Sequence, residues 1–149
     1  MNFRGMQVAM DMYNCALDVI SDQEKVKEIM MNTAKHFHFE VITLDYSPTS
    51  GADDYAYIMP CKSGHMILYI FPSLGYVSVD LFTTREEVNP EFVAIYIRKQ
   101  FAPDQSKLTL LNRGDFGTID DMKPRRRKQI RPIRRAKDAL KKLVIIPKA

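Results

Sequence analysis

Gly64-His65-Met66-Ile67-Leu68-Tyr69-Ile70-Phe71-Pro72-Ser73-Leu74-Gly75-Tyr76-Val77-Ser78-Val79-Asp80-Leu81-Phe82-Thr83-Thr84 reads as two strands around a tight turn. Met66 to Phe71 is an unbroken apolar run, the pattern of a strand covered on both faces. Pro72 pre-sets a turn angle and Gly75 accepts a positive one, so Pro72-Ser73-Leu74-Gly75 closes a hairpin. Tyr76 to Phe82 then alternates. Val77, Val79 and Leu81 point to one side, and Tyr76, Ser78, Asp80 and Phe82 to the other. The apolar set belongs in a core. The mixed set, with a phenol, a hydroxyl and a carboxylate, suits a pocket, a subunit contact or a solvated face.

The flanking sequence supplies the other elements. Gln7 to Tyr13 is strand-like. Ser21-Asp22-Gln23-Glu24 reads as a capping box, with Ser21 and Glu24 closing a helix start reciprocally. Val26, Ile29, Met30, Thr33, Ala34 and Phe37 recur at three- and four-residue steps and give that helix one apolar face. Phe39 to Leu44 alternates as a strand, Ser47 to Asp54 has the composition of a loop, and Tyr55 to Met59 is a further strand. Asn89 caps a second helix, with Pro90 at its first position and Glu91 in its first turn. Phe92, Val93, Tyr96, Ile97 and Phe101 are its apolar members, and Lys107 to Leu111 is a last strand. This order predicts an α+β two-layer sandwich, a mainly antiparallel sheet with helices on one face. The sheet face left bare would favour subunit pairing.

The hairpin, with its Phe-Pro-x-x-Gly-Tyr-x-x-x-Asp-Leu-Phe-Thr pattern, resembles that of the short prokaryotic S-adenosylmethionine decarboxylases. Arg4-Gly5 and Met10-Asp11-Met12-Tyr13-Asn14-Cys15 are similar to the family's first strand and the turn after it, and Glu87-Val88-Asn89-Pro90 to the start of its second helix. The resemblance spans roughly residues 4 to 115. It implies a two-layer fold, paired subunits and a chain that cuts itself before a serine to make a pyruvoyl group, the electron sink for decarboxylation. Aligned on Phe71-Pro72 and Gly75-Tyr76, however, the cleavage serine falls on Gly64 and the glutamate before it on Ser63. The histidine that assists processing falls on Tyr69, and the proton-donating cysteine on Thr84. A supporting serine falls on Ala56, and the acidic residue expected to hold the substrate ribose on Ser73. Only His65, after the cut, is kept.

Self-cleavage needs a hydroxyl that attacks the preceding carbonyl and a group that moves protons. Glycine has no side chain to attack with. A tyrosine with a pKa near 10 is a poor shuttle at neutral pH, and threonine does not replace a thiol of pKa about 8.5. A slipped alignment puts Ser63 at the cut with His65 nearby, but a one-residue slip turns a strand side chain to the other face unless a bulge corrects it. The expectation is a non-processing relative, inactive as a pyruvoyl enzyme and without a cofactor. It would be a binding or regulatory subunit linked to polyamine (spermidine) metabolism, as a homodimer or a hetero-oligomer with an active homologue. The alternative is an active, pyruvoyl-bearing decarboxylase cleaving near Ser63. Met66, Tyr69, Phe71 and Tyr76 would wall a surviving pocket, with Asp80 free to bind a cation or pair with Lys or Arg.

Of the 149 residues, 46% are hydrophobic, and no run approaches the ~20 apolar residues of a membrane span. The first residues lack the apolar stretch of a signal peptide, and Cys15 and Cys61 read as reduced structural thiols, so a cytoplasmic protein is expected. His36-Phe37-His38 has no third ligand in view, and no metal is expected. The resemblance implies a decarboxylase-like domain, residues 1–118, followed by a basic, partly helical tail, residues 119–149, and the charge of the chain divides in the same region. Residues 123–149 carry twelve Lys or Arg and one acid; residues 1–122 carry ten basic and seventeen acidic groups. Arg125, Arg126, Arg127, Lys128, Arg131, Arg134 and Arg135 are placed to meet a polyanion such as nucleic acid, an anionic membrane surface, or the acidic body of the same or a partner subunit.

Overall fold

The structure, a computed structural model, describes residues 4–114. The chain runs β1 (Gly5–Tyr13), α1 (Leu17–Ile20), α2 (Gln23–His36), β2 (Asp45–Pro48), β3 (Tyr55–Cys61), β4 (Gly64–Phe71), β5 (Tyr76–Thr83), α3 (Pro90–Phe101) and β6 (Gln105–Arg113). The strands form one sheet in the order β2-β3-β4-β5-β1-β6, every neighbour antiparallel. The expected α+β sandwich is the fold observed. The predicted boundary at residue 118 and the basic residues from Arg125 to Arg135 lie outside the described residues.

Strand alternation builds the core. Val8, Met10 and Met12 of β1, Tyr55, Tyr57 and Met59 of β3, Met66, Leu68 and Ile70 of β4, and Val77, Val79 and Leu81 of β5 are all buried in one cluster. Val26, Met30 and Ala34 of α2 and Val93, Ala94, Ile97 and Phe101 of α3 complete it. Each large apolar side chain so buried contributes about 1.5–3 kcal/mol. Two phenols pin the helices to the sheet: Tyr55 Oη donates to the Ile20 carbonyl at 2.7 Å and Tyr57 Oη to the Gln23 carbonyl at 3.1 Å. α2 and α3 meet through His36, stacked on Tyr96 with ring centroids 4.7 Å apart. Arg85, after β5, donates through Nη1 to the carbonyls of Phe37 (3.2 Å) and His38 (2.7 Å), which positions a cation at the C-terminus of α2.

Several expectations need correction. Met66–Phe71 is not covered on both faces: Met66, Leu68 and Ile70 are buried, Ile67 and Phe71 are half-buried, and Tyr69 is 41% exposed. Phe39–Leu44 is not a strand. It makes a single bridge, Val41 with Cys61, before β2 starts pairing with Asp45 opposite Ile58. Four steps on this side then match three on β3, the signature of a bulge, which interrupts the ladder. Part of the expected loop, Ser47 and Pro48, belongs to β2, where an edge strand tolerates proline. Phe92, assigned to the apolar face of α3, is 63% exposed. Cys15 and Cys61 are free and buried, and burial pushes the Cys15 thiol up to about 11.

The cap of α2 is Asp22 rather than Ser21. Asp22 Oδ1 accepts from the amides of Glu24 (3.1 Å) and Lys25 (3.2 Å), while Ser21 ends the preceding turn of helix, α1. Asp22→Ala should therefore cost about 1 kcal/mol in urea unfolding, and Ser21→Ala less than about 0.5 kcal/mol.

Candidate functional site

The sheet face opposite the helices gathers most of the expected site residues. In the β4–β5 register His65 faces Phe82, Ile67 faces Asp80, Tyr69 faces Ser78 and Phe71 faces Tyr76. Strand alternation directs all eight away from the core. Tyr69, Phe71, Tyr76 and Asp80 thus share one surface, whereas Met66 points into the core and is 1% exposed. Met66 cannot line a pocket with the other four.

β1 supplies partners that sequence reasoning missed. Gln7 Nε2 donates to Asp80 Oδ1 at 2.8 Å, and Arg113 Nη1 donates in turn to Gln7 Oε1. Tyr76 Oη donates to Asp11 Oδ1 at 2.5 Å. The only local signal for Gln7 and Asp11 is their alternation with Val8, Met10 and Met12; what they touch depends on β1 lying beside β5. His65 Nε2 is covered and has no hydrogen-bond partner among the described residues; its nearest acid is Asp80 Oδ2 at 3.8 Å. Rings enclose this polar line: Phe71 stacks on Tyr76 at 5.4 Å, Tyr13 tilts over Tyr76 at 5.4 Å, and His65 lies 5.8 Å from Phe82. Burial first, and then the Asp11 carboxylate, push the Tyr76 phenol up to about 12.

Ser63, Gly64 and Thr84 meet at one end of the hairpin. Gly64 pairs with Cys61 across a two-residue turn and with Thr83 on the other side. The Ser63 carbonyl accepts from the Thr84 amide at 2.8 Å and from Thr84 Oγ1 at 3.2 Å. Gly64 has φ 149°, and a Cβ there would overlap the Phe82 carbonyl oxygen and lie 2.8 Å from its carbon. A cleft of about 360 Å³ beside this turn is lined by Arg4, Gly5, Met6, Thr83, Thr84, Arg85 and Glu86. Tyr69 is not there. It lies five residues along β4, about 17 Å away at ~3.3 Å per residue, opposite Ala56. Ser73 sits in the exposed turn between β4 and β5, which Gly75 closes with φ 61°. No three His, Cys, Asp or Glu side chains among the described residues are grouped to hold a metal.

Residues 6–114 match the family model described as S-adenosylmethionine decarboxylase. The chain is 27% identical over 113 residues to the S-adenosylmethionine decarboxylase proenzyme of Syntrophomonas wolfei, covering 74% of this chain and 86% of that one. It is 30% identical over 101 residues to the proenzyme of the same name from Carboxydothermus hydrogenoformans, covering 68% and 79%. The adenosylmethionine decarboxylase of Aquifex aeolicus has the same fold, with a TM-score of 0.69 at 20% identity over 76% of this chain and 93% of that one. The chain belongs to the S-adenosylmethionine decarboxylase family.

Two outcomes test this geometry. Gly64→Ser should lower stability by about 1–3 kcal/mol or more, measured by the denaturant midpoint, because the new side chain meets backbone rather than open space. Because the folded-state pKa of Tyr76 is raised above the usual 10, its contribution is complete below pH 10 and is lost as pH rises toward 12. Tyr76→Phe should flatten the fall in stability across that window.

Proposed function

We propose that this chain is a non-processing member of its family, acting as a binding or regulatory subunit that pairs with a second protein and bears on polyamine (spermidine) supply. Residue 64 carries the reading. The resemblance of the hairpin, aligned on Phe71-Pro72 and Gly75-Tyr76, implies at this position a serine whose hydroxyl attacks the preceding carbonyl, and glycine offers no such atom. The backbone at φ 149°, with the Phe82 carbonyl against it, leaves no room for a side chain either. The residues present therefore do not fit a pyruvoyl group made at this position. Tyr69 and Thr84 compound the difference, since neither supplies the acid–base chemistry of a histidine or a thiol near neutral pH.

A binding role draws on the open sheet face. Ile58, Ile67, Phe71, Tyr76 and Phe82 are half-buried around the Gln7–Asp80 hydrogen bond, an apolar surface with a polar centre. Such a surface favours a protein partner of matching shape. Residues 63, 64 and 84 lie at one end of the hairpin, and residues 56 and 69 about 17 Å along it by strand rise. A partner sheet laid antiparallel over this face would bring each group near the other group of its neighbour.

Intact-mass analysis of the purified protein should return a single chain near 17.2 kDa. Two fragments parting near residue 63, one with a pyruvoyl end, would overturn the proposal in favour of an active decarboxylase using Ser63. For the regulatory role, adding the uncut chain to a self-cleaving homologue from the same cell should change that enzyme's decarboxylation rate. An unchanged rate with no complex in sedimentation removes that role.

A further inference from the structure

The two edges of the sheet are built differently. β2 has four residues and carries Pro48, a short edge of the kind that resists further pairing. β6 has nine residues, contains no proline or glycine, and pairs with β1 without a break from Gln105 to Arg113. Every residue of β6 except Leu108 is exposed, and its outward backbone groups have no partner among the described residues. Leu110 and Leu111, 44% and 47% exposed, put an apolar side chain on each face of this edge. A long, regular edge with three leucines among its nine residues is a template for another strand.

We propose that β6 pairs antiparallel with β6 of a second copy of this chain, about a two-fold axis at Thr109. A symmetric antiparallel pair must place the axis on a residue, because outward-directed backbone groups alternate along the strand. Centred on Thr109, all nine residues find partners. Leu108 faces Leu110 of the second copy and Leu110 faces its Leu108, which prolongs the apolar core face on which Leu108 already packs. Thr109 faces Thr109, Lys107 faces Leu111 and Gln105 faces Arg113, so no like charges are opposed. Centred one residue later, Lys107 would face Arg113 twice. Centred one residue earlier, Ser106 would face Leu110, and Asn112 and Arg113 would be left out. Charge and apolar matching select the same register. The contact uses neither face of the sheet, so it leaves the open face to a different partner.

Thr109 opposite itself gives a direct test. In the full-length protein, Thr109→Cys should form a covalent dimer on mild oxidation, since directly opposed Cβ atoms lie about 4.5–5.5 Å apart. Lys107→Cys and Leu111→Cys should each fail to link to themselves and should link when mixed. Cys15 and Cys61 are buried, so neither supplies a background link. By sedimentation, Thr109→Lys and Thr109→Glu should each weaken association about threefold or more, and their mixture should restore it. No covalent dimer for Thr109→Cys, self-linking of Lys107→Cys to the same extent, or unchanged association of both charge variants would each overturn the proposal. None of these results bears on whether the chain is cut, so failure here leaves the reading of residue 64 standing.

Discussion

Eight residue pairs, from Gly64 with Thr83 to Phe71 with Tyr76, join β4 to β5 without a break, and that register sets which side of the sheet every neighbouring side chain takes. It turns Met66, Leu68, Ile70, Val77, Val79 and Leu81 under the helices, where each contributes about 1.5–3 kcal/mol. A slip of β5 by one residue would expose Val77, Val79 and Leu81 and push Ser78 and Asp80 into the core. An unpaired carboxylate there would cost several kcal/mol more. Gain and penalty favour the same register, so the hairpin is strongly specified, and β1 and β3 pair with its outer edges.

The same ladder gives the open face its character. Asp80 and Asp11 are held on a sheet with apolar neighbours, and each is satisfied by a side chain from the adjacent strand: Gln7 for Asp80 and Tyr76 for Asp11. Hydrogen bonds to charged groups of this kind contribute about 1.5–3 kcal/mol, and leaving a buried member unpaired costs more than the bond is worth. The polar line is therefore a structural part of the face. At its end, Gly64 is paired on both sides and pressed against a backbone carbonyl. A residue that must attack its own preceding peptide needs a side chain and room to move it. This end of the hairpin is shaped for closure of the ladder.

Local pattern was enough where one element decides its own geometry. The alternation of Tyr76–Phe82 named the faces of β5, and Asn89-Pro90 named the start of α3. It failed where a neighbour intervenes. Phe39–Leu44 alternates as a strand should, but the bulge opposite β3 breaks its ladder. Ser21 and Asp22 both suit a helix cap, and α1, ending at Ile20, leaves Asp22 as the one that faces the amides. An apolar run such as Met66–Phe71 carries no phase, so only its pairing with β5 could separate Met66 from Tyr69 and Phe71. The site was half legible for the same reason: Asp80 and Tyr76 stand in a readable strand, while Gln7 reaches Asp80 from 73 residues away along the chain and Arg113 reaches Gln7 from 106.

The sequence by itself determined the composition of residue 64, because a missing hydroxyl is a covalent fact that no fold can supply. It also determined the two-residue rhythm that divides the hairpin, because that rhythm belongs to any extended chain of L-residues. Only the tertiary structure decided that a side chain at residue 64 would have nowhere to go, that the two acids of the open face are satisfied by β1 and β5, and that the long β6 edge has no strand partner among the described residues. Those outcomes depend on which strands lie side by side, and that is settled by burial summed over the whole sheet.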